Sequence, residues 1–147
     1  MNRLAVLALA AWTGVAGAQP FSSTGPVIAI FEGELLVGEA TGHLGGWGTI
    51  ALRARANAER TCAGEFSYSG ALGDAGELRC SDGASAPFRF QRLSPRRGYG
   101  TGTSGGSALS FTYGLSAEDS APYLQLPAGK ALKREGDKLE MVTLQRR

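Results

Sequence analysis

The stretch with the most binding chemistry is Arg96-Arg97-Gly98-Tyr99-Gly100. Two guanidinium groups beside an aromatic ring can grip a carboxylate, a phosphate or a sugar, because each guanidinium offers a fork of donors to paired oxygens. Trp47 and Tyr99 are the natural stacking groups if the ligand is a glycan. His43, the single histidine of the chain, lies close to Trp47 in a glycine-rich segment, where an imidazole can serve as a general base or a metal ligand. His43, Trp47, Arg96, Arg97 and Tyr99 are therefore the candidate ligand-binding residues. The competing reading makes the arginines a solvated turn and His43 a turn residue. A carboxylate pair is the other source of acid/base chemistry, but no spacing among the thirteen acidic residues singles one out. No catalytic residue is assigned.

Two catalytic or cofactor motifs are matched in letters only. Gly102-Thr103-Ser104-Gly105-Gly106 fits the G-x-S-x-G nucleophile elbow, which needs a strained strand-to-helix turn and a histidine further on. Here an alternating strand follows and no histidine does. Gly100, Gly102 and Gly105 fit the dinucleotide fingerprint, which needs a following helix, so no nucleotide cofactor is expected. A structural zinc site needs more ligands than Cys62, Cys80 and His43 supply, so no metal is expected.

The first eighteen residues fit an export signal. Arg3 gives a positive start, Leu4 to Ala11 is apolar, and Ala16-Gly17-Ala18 offers the small residues a signal peptidase requires. The apolar run is too short for a bilayer span. Residues 1–18 are read as a signal peptide and 19–147 as a single β-rich domain, placed in the periplasm or secreted. In such an oxidising compartment Cys62 and Cys80, an even pair, read as one disulfide, worth about 3 kcal/mol in the chain-entropy picture. Without Arg3, fourteen basic residues face thirteen acidic ones. That near-neutral balance argues against a nucleic-acid binder or a polybasic membrane clamp.

The elements that must position these residues are strands. Phe21 to Pro26 reads as a loose lead-in, and Val27 to Phe31 as a strand continuing towards Leu36. Glu39 to Gly48 is a glycine-rich connection, and Thr49 to Arg53 resumes as a strand. Asn57 to Arg60 is a turn. Cys62, Phe66 and Tyr68 share one strand face, with Leu78 and Cys80 on a return strand across a turn near Gly70 to Asp74. Pairing Cys62 with Cys80 then sets Phe66 opposite Gly76 and Tyr68 opposite Asp74, an aromatic covering a cross-strand glycine. Asp82-Gly83 is a turn, and Phe88 and Phe90 alternate in the next strand. Ser94 to Ser107 is expected as a long glycine-rich loop or loose hairpin. Leu109, Phe111, Tyr113 and Leu115 alternate as a strand. Ser116 to Asp119 approximates a capping box, and Pro122 and Pro127 keep that helix short. Two strands, Lys130 to Arg134 and Lys138 to Leu144, close the chain, with Leu139 and Met141 on one face.

Short glycine hairpins recur: Phe31-Glu32-Gly33-Glu34 with later Gly48-Thr49-Ile50, and Cys62-Ala63-Gly64-Glu65-Phe66 with later Gly76-Glu77-Leu78. Over Phe31 to Gly102 this resembles a degenerate MORN repeat, with Cys62 in place of the leading aromatic. The resemblance implies a row of hairpins serving as a scaffold or binding surface. The chain is also similar to small exported proteins of unknown function of Gram-negative bacteria. The expected fold is all-β, an antiparallel hairpin array forming a curved sheet or small barrel, with one short helical turn near 116–124. The expected function is a non-enzymatic exported β-domain binding a cell-envelope component or a protein partner, with no nucleic acid and no membrane span after signal cleavage. Two alternatives stand beside it: a small periplasmic hydrolase using His43 or a carboxylate pair, and a secreted enzyme inhibitor, for instance of lysozyme.

Overall fold

The computed structural model describes residues 22–68 and 74–145. Eight antiparallel strands close into a barrel in chain order: β1 (Ser22–Phe31), β2 (Glu34–His43), β3 (Trp47–Ala54), β4 (Thr61–Ser67), β5 (Ala75–Cys80), β6 (Ser85–Ser94), β7 (Arg97–Ser104) and β8 (Ser107–Tyr113). β8 returns to pair with β1, from Val27↔Tyr113 to Phe31↔Leu109, so the sheet has no free edge. The chain then forms one short helix, α1 (Ala117–Ser120), a 3-10 turn at Ala121–Tyr123, and a hairpin of β9 (Lys130–Glu135) and β10 (Lys138–Thr143). Ser116 caps α1 by accepting from the Asp119 amide at 3.1 Å. The expected all-β fold with a short helical turn is the one observed, and its sheet is closed.

Three segments depart from the sequence reading. The lead-in is strand from Ser22 onward, because the first half of β1 pairs with Glu39 to His43. The strand from Val27 does not run on to Leu36: Glu32 and Gly33 both take positive φ, 53° and 75°, and turn the chain back, as a two-residue hairpin turn requires. The glycine stretch between Ser94 and Ser107 is mostly the regular strand β7 rather than a loop. The expected turn near Gly70 to Asp74 lies in large part outside the described residues, as does the expected leader.

Inward positions explain why so many glycines are strand residues. Register carries one row around the wall as Gly48↔Phe66↔Gly76↔Phe88↔Gly102↔Leu109. Large and small side chains thus alternate from strand to strand, a pattern that fills narrow barrels. A Cβ on Gly76 would lie 2.5 Å from the Phe88 ring tip, and one on Gly100 would collide with the Phe111 ring tip. Each ring lies across its neighbour's glycine.

The two faces of the wall bury different things. Inside, Phe31, Leu36, Leu52, Cys62, Leu78, Cys80, Ala86 and Leu109 pack one half of the barrel solid. The Cys62–Cys80 disulfide joins directly paired residues of β4 and β5 within that core. Outside, Ile28, Ile30 and Leu35 are covered by Ala117, Leu124 and Leu139. The tail therefore buries the outer face of β1 and β2. Ser110 and Thr112, on the outer face of β8, are satisfied by Gln125 and Ser120. Elsewhere the outer face is polar, with Arg53, Glu65, Glu77, Arg79 and Arg89 exposed.

Arg60, only 8% exposed, plugs the packed end. Its guanidinium lies 5.4 Å over the Phe31 ring. It pairs with Glu32 and, at 2.9 Å each, with Glu34 and Asp82, from two different turns. Burial alone would lower its pKa, but hydrogen bonds to Glu32 and Glu34 and the charge of Asp82 outweigh that and raise it. Arg60→Ala should destabilise the fold by about 2 kcal/mol, less than a fully buried pair would because the carboxylates are partly exposed. Urea unfolding reads this as a lower midpoint at unchanged slope. Gly100→Ala, which forces a methyl into the Phe111 ring, should cost about 1–3 kcal/mol. Thr101→Ala on the outer face should stay within about 0.5 kcal/mol in the same assay.

Candidate ligand-binding site in the barrel mouth

The end opposite Arg60 is open. Strands end there at the turn after His43, near Tyr68, at the Pro95-Arg96 turn and at Gly114, and β1 begins there. Below this mouth lies a cavity of about 710 Å³, within the range of about 300–1,000 Å³ that small-molecule sites occupy. Its wall is aromatic: Phe66, Tyr68, Phe88, Phe90, Phe111 and Tyr113 line it, with Val27, Ala40 and Ile50. The rings meet edge to face. Phe66 and Phe90 have centroids 5.5 Å apart at 84°, Phe88 and Phe111 4.9 Å at 77°, and Phe90 and Tyr113 6.0 Å at 85°. Such pairs are mutually favourable and hold each other's orientation. Because inward glycines let the rings lie along the wall, the barrel axis stays open at this level, while the lower half is filled.

Polar groups gather at the rim. The register of β6 against β7 shifts between Arg92 and Ser94. Bulges at barrel rims redirect side chains, and here both Arg92 and Ser94 line the cavity. Arg92 donates to Asp74 at 3.1 Å and to the Tyr68 carbonyl at 3.3 Å, and lies 5.2 Å over the Tyr68 ring. The Tyr68 hydroxyl in turn donates to the His43 carbonyl. Arg96 and Arg97 line the same opening, and neither has an ion-pair partner among the described residues. The Tyr113 hydroxyl is buried without a protein hydrogen-bond partner among those residues. Burial pushes its pKa up to about 12; the charge of Arg92 works against this and Asp74 adds to it. At neutral pH it is a phenol able to donate.

The candidate residues separate into three groups. His43, Arg96 and Arg97 line the mouth. Trp47 stacks on His43, centroids 4.3 Å apart at 26°, outside the cavity lining. Tyr99 stands on the outer wall, because Gly98 and Gly100 face inward and a strand alternates. It stacks on Tyr123 at 4.4 Å and donates to Gln91 Oε1 at 2.9 Å. Ser104 ends β7 before the Gly105-Gly106 turn into β8, at the packed end; His43 is at the other end. Among the described residues no group of three or more His, Cys, Asp or Glu is placed to hold a metal ion. The residues that the sequence reading missed are the lining rings and Arg92. Their alternation was visible, but their facing a shared hollow depends on closure.

No family model matches the chain, and neither does any curated protein or solved structure. The site must therefore be read from its own geometry.

The raised phenol makes a signed prediction. In the unfolded chain Tyr113 ionises near 10, in the fold near 12. Its contribution to stability is whole below about pH 10 and is lost as pH rises through the folded value. A phenolate-absorbance titration should show a late step near pH 12 that Tyr113→Phe removes.

Proposed function

We propose that this chain is a non-enzymatic exported β-domain whose barrel mouth binds one amphiphile of the cell envelope, with its apolar body among the rings and its anionic head at the rim arginines. The observation that carries this reading is the aromatic cavity of about 710 Å³ opening beside Arg92, Arg96 and Arg97. An eight-stranded barrel has room inside for packed side chains or for one small ligand, and here the two uses divide the barrel by height. The Tyr113 hydroxyl adds a donor inside an otherwise apolar wall, suited to a carboxylate or ester oxygen.

The outer wall supports a protein that works in water. Lipid-facing barrels are apolar outside and polar within, whereas this barrel exposes Glu65, Glu77, Arg79 and Arg89 and buries its rings. No helix among the described residues is long and apolar enough to cross a membrane. The Cys62–Cys80 disulfide fits a periplasmic or extracellular site.

Calorimetric titration with fatty carboxylates of increasing length, and with the matching alcohols, tests this. Affinity should rise about fourfold per methylene while the chain fits. The carboxylate should exceed the alcohol by at least about tenfold, the value of a charged over a neutral hydrogen bond. Ala40→Trp, which fills the cavity, should abolish binding of both, and Arg96→Ser with Arg97→Ser should bring the carboxylate down to the alcohol. Absence of binding by the unaltered protein, or equal binding by Ala40→Trp, would refute the reading.

A further inference from the structure

We infer that the barrel mouth docks face-down on an anionic lipid bilayer. The inference extends the amphiphile reading, since such a surface is where a ligand of that kind resides. The large hydrophobic side chains exposed among the described residues are Leu44, 72% exposed, Trp47, 48%, Leu93, 51%, and Leu144, 57%. Three of these four are at the mouth. Leu44 and Trp47 belong to the β2–β3 turn, and Leu93 is at the β6 bulge beside the β6–β7 turn. In a closed barrel of eight strands those two turns are four strands apart, on opposite sides of the opening. A single apolar spot would be unremarkable. Two apolar tips on opposite sides of a mouth can both touch one flat partner that covers the opening.

Charge selects the kind of plane. Arg96 and Arg97 lie on the same rim with no ion-pair partner among the described residues, while Arg92 is held by Asp74. The opposite end carries the carboxylates Glu32, Glu34 and Asp82 around Arg60. At the rim itself the carboxylate of Asp74 is taken up by Arg92, and Glu118 and Asp119 lie on α1, beyond β8. A negative surface therefore draws the arginine side of the mouth towards it and repels the packed end. Leu and Trp at such a boundary insert their apolar parts while cations meet headgroups, the arrangement of interfacial anchors. A docked mouth also opens directly onto the acyl region, so an amphiphile reaches the cavity without crossing water.

Sedimentation with vesicles tests the docking separately from cavity binding. The chain from Gln19 onward, without the expected leader and its Trp12, should pellet with vesicles of phosphatidylglycerol and phosphatidylcholine and remain largely in solution with phosphatidylcholine alone. Removing Arg96 and Arg97 as Arg96→Ser and Arg97→Ser should weaken the partition about fivefold for each, and added salt should do the same. Leu44→Ser with Leu93→Ser, both exposed and so compatible with the fold, should weaken it at least tenfold. Vesicles should shift the tryptophan emission to the blue, a shift that Trp47→Phe removes. Ala40→Trp should still pellet, because it fills the cavity and leaves the rim intact. Pelleting of an unaltered chain that binds no amphiphile would overturn only the cavity reading. Equal pelleting by the double leucine variant, or no pelleting of the unaltered chain, would overturn the docking. So would a dimer in solution that Leu44→Ser and Leu93→Ser dissociate, since the rim would then be a contact between two copies.

Discussion

Everything else in this structure depends on aromatic rings lying across glycines of the neighbouring strand. In a narrow barrel, directly paired inward positions on neighbouring strands cannot all carry large side chains. The row Gly48, Phe66, Gly76, Phe88, Gly102 and Leu109 solves this by alternation. The glycines carry a backbone-entropy cost, offset by ring burial and by edge-to-face contacts among the rings. They also set where volume is left over. Where leucines and alanines replace the rings the interior closes, as around Leu36, Leu52 and Leu78. Where rings hug the wall it remains open.

The two ends consequently have different mechanical characters. The packed end is crosslinked through Cys62–Cys80 and drawn together by Arg60, which joins the turn after β1 to the turn after β5. The tail adds a second layer over β1 and β2, and Arg55 fastens it by donating to the Leu139 carbonyl at 3.0 Å. The open end is held more lightly, by the Asp74–Arg92–Tyr68–His43 chain of contacts and by ring packing. Local stability is lower where fewer buried contacts are made. The mouth is thus the part best able to adjust to a guest, and the rest supplies a fixed frame.

Much of this was legible in the chain, for reasons that differ by segment. Local alternation placed Phe88, Phe90, Phe111 and Tyr113 in strands, and the Cys62–Cys80 pairing placed Phe66 opposite Gly76 as observed. Ser116 as a cap followed from local hydrogen-bond chemistry. Segments decided by distant partners were not legible. Gly98, Gly100 and Gly102 read as loop because strand propensity is low for glycine, yet each faces a large inward side chain on a neighbouring strand. Arg60 looked like one more turn residue, since nothing local shows that Glu32, Glu34 and Asp82 converge on it. Tyr99 looked like part of the arginine site because it is adjacent in sequence, and alternation puts it on the other side of the wall. His43, Arg96 and Arg97 stood out because their segments are glycine-containing turns, a local property, and the fold sets all three along the mouth.

The rim arginines do different work, and the difference bears on selectivity. Arg92 is committed: its donors are engaged by Asp74 and the Tyr68 carbonyl, and its plane rests on the Tyr68 ring. Releasing it for a ligand would break the brace that shapes the mouth, so it contributes field more than contact. Arg96 and Arg97 are exposed and rotamer-rich, and ordering them opposes binding. Such groups recognise negative charge without fixing a headgroup's shape. Deeper in, the orientation of Phe66, Phe88, Phe90 and Phe111 is set by mutual contacts and by glycines that no side chain can replace without collision. Under the proposed amphiphile binding, discrimination would therefore reside in the length and girth of the apolar body, and the head would be read for its sign.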